Sequence, residues 1–325
     1  MARRTPSWLE SKTLDLKTRA SPGVAPRKPR DMEKTEPRGS SSKFSEPASS
    51  FVNVNGIRMH TLDWGGDGAP IVILHATGFL GRIYRPLAEP LRAIGHVYSY
   101  DQRGHGDSSA PPGGDYSWDS TMRDLEGFIT AMGWSGVRAV GHSAGATAIG
   151  SLACERLDLI SRAVLVEPVI FESPTAPELG WSNPFIERTL KRRRTFDSVE
   201  AMYSSFLNKP PYNTWQKDIL RDYCRFGTRP TVDGRRELKC APEIEAKFYE
   251  AARDFDGLGR ILRCSAPLLI MFGARGDSVG AVLSGKVAQQ LKHGRVIDVA
   301  GAGHFMPMEI PDYVANQASE FLTSE

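Results

Sequence analysis

Long apolar runs are missing from this 325-residue chain. Without a stretch of about 18 consecutive apolar residues, no membrane span is expected. The basic start Met1-Ala2-Arg3-Arg4 leads into no apolar segment, which speaks against a secretory leader. Cysteine is scarce as well. Cys154, Cys224, Cys240 and Cys264 show no Cys-x-x-Cys spacing and no clustered histidine. That pattern excludes a dense disulfide framework and a metal site of the zinc type, and it suits free thiols in a reducing, cytoplasmic setting. Charge of one sign is also lacking, since the formal net charge is only +3. Residues 1–50 hold 11 Lys and Arg against 6 Asp and Glu, whereas the remainder holds 30 against 32. A nucleic-acid footprint needs basic residues gathered on a folded face, so no nucleic-acid partner is expected. The run Lys191-Arg192-Arg193-Arg194 reads as a solvated helix face. The sequence carries no signature of a particular oligomeric state.

What is present is texture. Residues 1–50 are rich in Pro, Ser, Lys and Arg, and their apolar residues form no stripe. Such a segment buries too little surface to offset its ordering entropy, so it is expected to be a disordered extension. An organelle signal there stays open, although Asp15, Asp31, Glu33 and Glu36 fit a transit peptide poorly. From Phe51 onward, two alternating segments flank Asn55-Gly56, the signature of a hairpin. Short continuous apolar runs follow at Ile71–Leu74, Val97–Tyr100, Val137–Val140, Ala163–Val166, Leu268–Phe272 and Val296–Val299. Each suits a parallel strand buried on both faces. Helical segments separate most of them: Ile83–Ala93, Ser117–Met132, Ala146–Leu157, Ala281–Leu291 and Tyr313–Leu322. The alternation predicts an α/β fold whose mostly parallel central sheet has helices on both faces. Residues 169–262 break the rhythm with helical texture at 180–194, 199–207, 214–226 and 242–252. They are expected to form a helical cap inserted into a core made of residues 51–168 and 263–325.

The strand Val137–Val140 runs directly into Gly141-His142-Ser143-Ala144-Gly145, and a small-residue helix follows. This is the strand–turn–helix setting in which Gly-x-Ser-x-Gly presents a nucleophilic serine. Ser143 is therefore the candidate nucleophile. A serine hydroxyl needs a base, and His304 in Gly301-Ala302-Gly303-His304-Phe305 follows the last strand. Parallel strands deliver their carboxyl ends to one edge, so His304 and Ser143 are expected to meet there. His142 is expected to point away from Ser143, and His75 to shape its loop.

An acid must orient the imidazole. Asp277 stands in the turn after Leu268–Phe272, and Glu167 closes Ala163–Val166. Asp277 is preferred for its glycine-rich turn and its spacing before His304, with Glu167 as the alternative. Two backbone N–H groups are needed for a developing oxyanion. Ala144 supplies one candidate, and Thr77 in His75-Ala76-Thr77-Gly78-Phe79 the other. Phe79, Phe171, Trp181, Phe206 and Met306 are candidates for an apolar substrate-binding lining. Gly280–Lys286 matches the first positions of a phosphate-binding loop, but Val287 stands where Ser or Thr would bind magnesium. The match is taken as coincidental.

With these blocks in order from about Phe51 to Leu322, the chain resembles the α/β-hydrolase superfamily. The resemblance implies a cofactor-free serine hydrolase acting on a small-molecule acyl substrate, most simply a carboxylic ester, through an acyl-enzyme. Lactonase, carbon–carbon bond hydrolase and perhydrolase or haloperoxidase-like chemistry use the same arrangement. A ligand sensor that keeps the residues without turnover is the alternative outside enzymes. Epoxide hydrolases of the family carry Asp where this chain has Ser143, so that activity is not expected. Ala76 departs from the family's usual His-Gly start of the oxyanion loop.

Overall fold

The computed structural model describes residues 46–170, 184–278 and 280–324. Most of the N-terminal extension therefore lies outside the described residues, as do Phe171 and Trp181. The hairpin is present as β1 (Ala48–Val54) and β2 (Ile57–Gly65), so the sheet already begins inside the stretch 1–50. Asn55 and Gly56 turn it with φ of 50° and 77°, the left-handed pair that a two-residue hairpin turn requires.

Alternation follows through β3 (Pro70–Leu74), α1 (Arg85–Leu91), β4 (His96–Tyr100), α2 (Trp118–Ala131), β5 (Val137–His142), α3 (Ala144–Glu155) and β6 (Ile160–Val166). The inserted stretch carries α4 (Pro184–Leu190), β7 (Thr195–Phe196), α5 (Val199–Phe206), α6 (Lys217–Phe226), β8 (Thr228–Pro230), β9 (Arg236–Leu238), α7 (Pro242–Ala251) and α8 (Gly257–Leu262). The chain returns to the core through β10 (Leu268–Gly273), α9 (Gly280–Gln290), β11 (Gly294–Val299), α10 (Met306–Glu309) and α11 (Pro311–Thr323). The phosphate-loop look-alike lies on helix α9 and not in a loop.

Eight strands form one sheet in the order β1-β2-β4-β3-β5-β6-β10-β11. The pairs from β4 to β11 are parallel, while β1–β2 and β2–β4 are antiparallel. This is the mostly parallel central sheet that the alternation predicts, and it agrees with the α/β-hydrolase resemblance. The continuous apolar runs now have their reason. Ile71, Ile73, Val140, Val164 and Met271 enter a core with α1 and α11, whereas Val72, Leu74, Ala139, Leu165 and Ile270 enter a core with α2 and α3. Successive strand residues point to opposite faces, so burial of both faces demands an apolar residue at every position.

The insert is not wholly helical. β7, β9 and β8 make a separate three-stranded antiparallel sheet that the sequence reading missed. Strands of two or three residues are too short to show a period. The insert meets the core through Lys239–Asp107 (2.6 Å), Arg85–Asp222 (3.2 Å) and the Trp118 indole N–H donating to the Phe248 carbonyl (2.9 Å).

A buried pair secures the loop Asp101–Ser108 to α2. Arg103 donates to both oxygens of Asp124 at 2.7 and 2.8 Å and also to the Asp115 and Ser120 carbonyls. Their side chains are only 5% and 2% exposed, so either charge alone would be stranded in the interior. Asp124→Ala is expected to lower unfolding stability by about 3–5 kcal/mol, read from urea titration. A loss below about 1 kcal/mol would show that the pair does not anchor this loop.

Candidate active site

The parallel strands end on one edge, and the candidate residues lie in the loops that leave it. Ser143 follows β5 at φ 55°, ψ −122°, a left-handed turn that non-glycine residues rarely adopt. Its neighbours explain how the turn is accommodated. A Cβ on Gly141 would sit 2.5 Å from the Ala146 Cα, and one on Gly145 would sit 2.5 Å from the Leu74 carbonyl oxygen. Glycine is the residue that permits both approaches. The Ser143 N–H donates to the Val166 carbonyl (2.9 Å), which ties the turn to the end of β6.

His304 Nε2 lies 3.1 Å from Ser143 Oγ, and His304 Nδ1 lies 3.1 Å from Glu167 Oε2. The structure thus brings Ser143 and His304 together, with Glu167 in place of Asp277. Asp277 packs beside Gly303, but both of its oxygens accept from Arg275 at 2.9 Å. Arg275 holds the Asp277 carboxyl below its usual pKa, against a smaller opposing effect of burial. Glu167 differs in every respect. It is fully buried, it sits at φ 50°, and it accepts from the Gly273 N–H and the Ser278 hydroxyl as well as from His304. Burial alone would raise its pKa, but these hydrogen bonds outweigh it and leave the carboxyl below its ordinary value.

The loop after β3 is braced at almost every donor. The Ala76 N–H donates to the Tyr84 hydroxyl (3.1 Å), the Gly78 N–H to His105 Nε2 (2.9 Å), and the Phe79 N–H to the Ala76 carbonyl (3.1 Å). Among the described residues, the Thr77 N–H has no such acceptor. Ala144 opens α3, where the first amides of a helix have no intrahelical partner. Thr77 and Ala144 are the residues read from the sequence as candidate oxyanion donors.

Phe79 and Met306 are buried, and Phe206 packs against the same core while stacking on Tyr212 (4.3 Å). Met306 is wholly enclosed, so it is core and not an open lining. Sequence reasoning missed Trp215, Tyr223 and Phe305, which surround the Phe79 ring at 5.1, 5.6 and 5.9 Å. On the other side, Phe248 of α7 clusters with Trp118 and Ala144. The insert therefore packs against Ala144 and against Phe79 in the loop that carries Thr77. Arg192, read as a solvated helix residue, is mostly buried. It pairs with Glu245, which presses on Gly78, and it donates to the Tyr223 hydroxyl (3.1 Å).

His60, Asp101 and Asp107 come close enough to suggest a metal site. Their atoms are otherwise engaged. His60 Nδ1 lies 2.8 Å from Asp101 Oδ2, and Asp101 also accepts from the Gly81 and Asp107 N–H groups. The group acts as a staple for the loop after β4.

The fold and this edge define an enzyme of the hydrolase class. A sequence model of the alpha/beta hydrolase family matches residues 71–317, and the chain belongs to that family. It is 32% identical over 277 residues to N-formylmaleamate deformylase of Pseudomonas putida, covering 85% of this chain and 96% of that protein. It is also 32% identical over 333 residues to Epoxide hydrolase A of Mycobacterium tuberculosis, covering 85% and 98%. The crystal structure of E-2-(acetamidomethylene)succinate hydrolase superposes with a TM-score of 0.73 at 21% identity, covering 86% of this chain and all of that one. Among the described residues, no helix is long and apolar enough to cross a membrane.

Three histidines around this edge are held neutral. Burial lowers the pKa of His75, lowers that of His142 well below its ordinary value, and pushes His105 down to about 3. The folded state thus refuses protons that the unfolded chain binds below about pH 6.5. Stability is complete above that pH and falls as pH drops through it, by up to about 1.4 kcal/mol per pH unit for each histidine. Melting temperature is expected to decline steadily from pH 7 to pH 5. A flat or rising profile would contradict these assignments.

Proposed function

We propose that the chain is a serine hydrolase that cleaves a small or medium acyl compound through an acyl-enzyme. The observation that carries this reading is the hydrogen-bonded series from Ser143 Oγ through both His304 nitrogens to a buried Glu167. Ser143 Oγ attacks the acyl carbon while His304 Nε2 takes its proton. Glu167 holds Nδ1–H and stabilises the imidazolium. The Thr77 and Ala144 N–H groups take the negative oxygen, a contribution of about 3–4 kcal/mol for each donor in related sites. His304 then returns the proton to the leaving group, and water repeats the sequence to release the acid.

The residues between β6 and β10 act as the cap over this edge, with Phe79, Trp215 and Phe305 as its apolar wall. The scissile bond is an ester or an N-acyl amide. The amide is favoured by the deformylase relative, whose name describes a carboxylate with an acylated nitrogen. Polar groups of the cap suit such a substrate. Arg192 pairs with the Glu245 that lies against Gly78, and the buried Trp215 indole N–H has no hydrogen-bond acceptor among the described residues. Epoxide opening is disfavoured despite the second relative, because that reaction in this family starts from Asp at the position of Ser143.

A fluorophosphonate probe is expected to label the wild type and not Ser143→Ala. Failure to label the wild type, where control hydrolases react, would sink the enzyme reading in favour of a ligand sensor. For the acid, Glu167→Gln is expected to reduce kcat on the order of 10³–10⁴-fold, because it loses the imidazolium's counter-charge. Asp277→Asn is expected to stay within about tenfold of wild type. The reverse ranking, measured on a panel of p-nitrophenyl esters and N-formyl amides, would return the role to Asp277.

A further inference from the structure

The residue before the candidate nucleophile is usually regarded as filling. Here His142 is the centre of a hydrogen-bonded chain that joins Ala76, the nucleophile turn and the backbone of His304. Its Nδ1 lies 2.7 Å from the Tyr84 hydroxyl, and its Nε2 lies 2.7 Å from the carbonyl oxygen of His304. The Tyr84 hydroxyl in turn lies 3.1 Å from the Ala76 N–H.

Chemistry fixes the polarity of this chain from both ends. An amide can only donate, so the Ala76 N–H donates to Tyr84 Oη. A carbonyl can only accept, so His142 Nε2 carries a proton and donates it to His304. For a neutral, buried ring the remaining contact follows. Tyr84 Oη–H donates to an unprotonated His142 Nδ1, and the imidazole is the neutral Nε2–H tautomer. A second proton on His142 would turn Tyr84 from donor to acceptor at Nδ1, and burial opposes that charged ring. Both side chains are only 1% exposed. Burial holds the His142 pKa well below its ordinary value and raises that of Tyr84.

We propose that Tyr84 and His142 form a positioning relay that sets the oxyanion loop and the base loop against the nucleophile turn. Ala76 precedes Thr77, the candidate oxyanion donor. His142 precedes Ser143. The acceptor at the far end is the backbone of His304 itself, and the His142 and His304 rings are 5.3 Å apart. The relay's hydrogen bonds at His142 span 58 residues back to Tyr84 and 162 residues on to His304, adding a direct tie among the three loops. The inference rests on Ser143 and His304 acting as proposed above. It adds two residues that touch no substrate and act through the groups that do.

The test compares Tyr84→Phe, His142→Leu and His142→Gln with wild type. Tyr84→Phe removes the hydroxyl that serves both neighbours, and His142→Leu removes the donor to His304. Each is expected to lower kcat about 10- to 100-fold, the effect of a small misplacement, with KM changed less than about threefold. Glutamine can offer an N–H to the His304 carbonyl and an oxygen to Tyr84 Oη, so His142→Gln is expected to recover most of the lost rate. Equal rates of turnover and fluorophosphonate labelling in wild type and Tyr84→Phe would overturn the relay. So would a glutamine variant no better than leucine, or losses that appear in KM alone.

Nitrogen-15 histidine spectra of the full chain supply a reading independent of turnover. They are expected to show His142 as a neutral Nε2–H ring from pH 5 to pH 9, and a His304 signal displaced in Tyr84→Phe. A titrating His142 or an unmoved His304 would refute the proposal. A wild type that escapes the probe but shows these signals would remove the serine-hydrolase reading and leave the relay standing.

Discussion

The backbone of Ser143 is bent into a conformation that costs a non-glycine residue about 1–3 kcal/mol, and the surrounding architecture is arranged to hold it there. Two approaches closer than a side chain allows, at Gly141 and Gly145, let α3 begin immediately after β5. The Ser143 N–H binds the end of β6, and its carbonyl accepts from the Thr147 N–H (3.0 Å) in the first turn of α3. Strand, turn and helix are therefore one rigid piece. On the proposed mechanism the hydroxyl at its apex needs no ordering when substrate arrives, and the Ala144 N–H at the helix start lies beside it. Every other contribution to the site is referenced to this bend.

A second bend of the same kind lies one strand away. Glu167 leaves β6 at φ 50°, and its N–H donates to the Met271 carbonyl (2.8 Å). With Asn55 of the hairpin turn, Ser143 and Glu167 are the non-glycine residues with positive φ among the described residues. One of the three is explained by a turn. The other two face each other across His304. Strain of this sort persists only where neighbours over-determine it. At Glu167 the neighbours are Gly273, Ser278 and His304, all donating to the carboxylate.

Much of this was readable from the chain and some was not. The apolar runs reported the sheet because burial on two faces leaves no polar position. The elbow was legible because its glycines are required by backbone contacts only a few residues away. His304 followed from the topology, since its loop must leave the same edge. The choice between Asp277 and Glu167 turned on information that local spacing lacks. Arg275, two residues before Asp277, consumes that carboxylate, while Glu167 faces His304 from a strand 137 residues away in sequence. Arg192 was misread for the same reason. Within a run of four basic residues nothing marks the one that turns inward to Glu245. Trp215, Tyr223 and Phe305 gather around Phe79 only once the insert has folded back.

Glu167 is also the root of the insert. Thr147 of α3 pins that stem by donating to the Val169 carbonyl at 2.9 Å. The opposite root, where α8 returns to β10, enters the sheet through Cys264 and Ala266 and carries no reacting group. The two attachments of the roof are therefore unequal. On the proposed mechanism, change at the second stem alters the insert alone, while the same change at the first bears on the carboxylate hydrogen-bonded to His304. A lineage exploring new substrates on this scaffold would then find one stem open to change and one tied to the proposed chemistry.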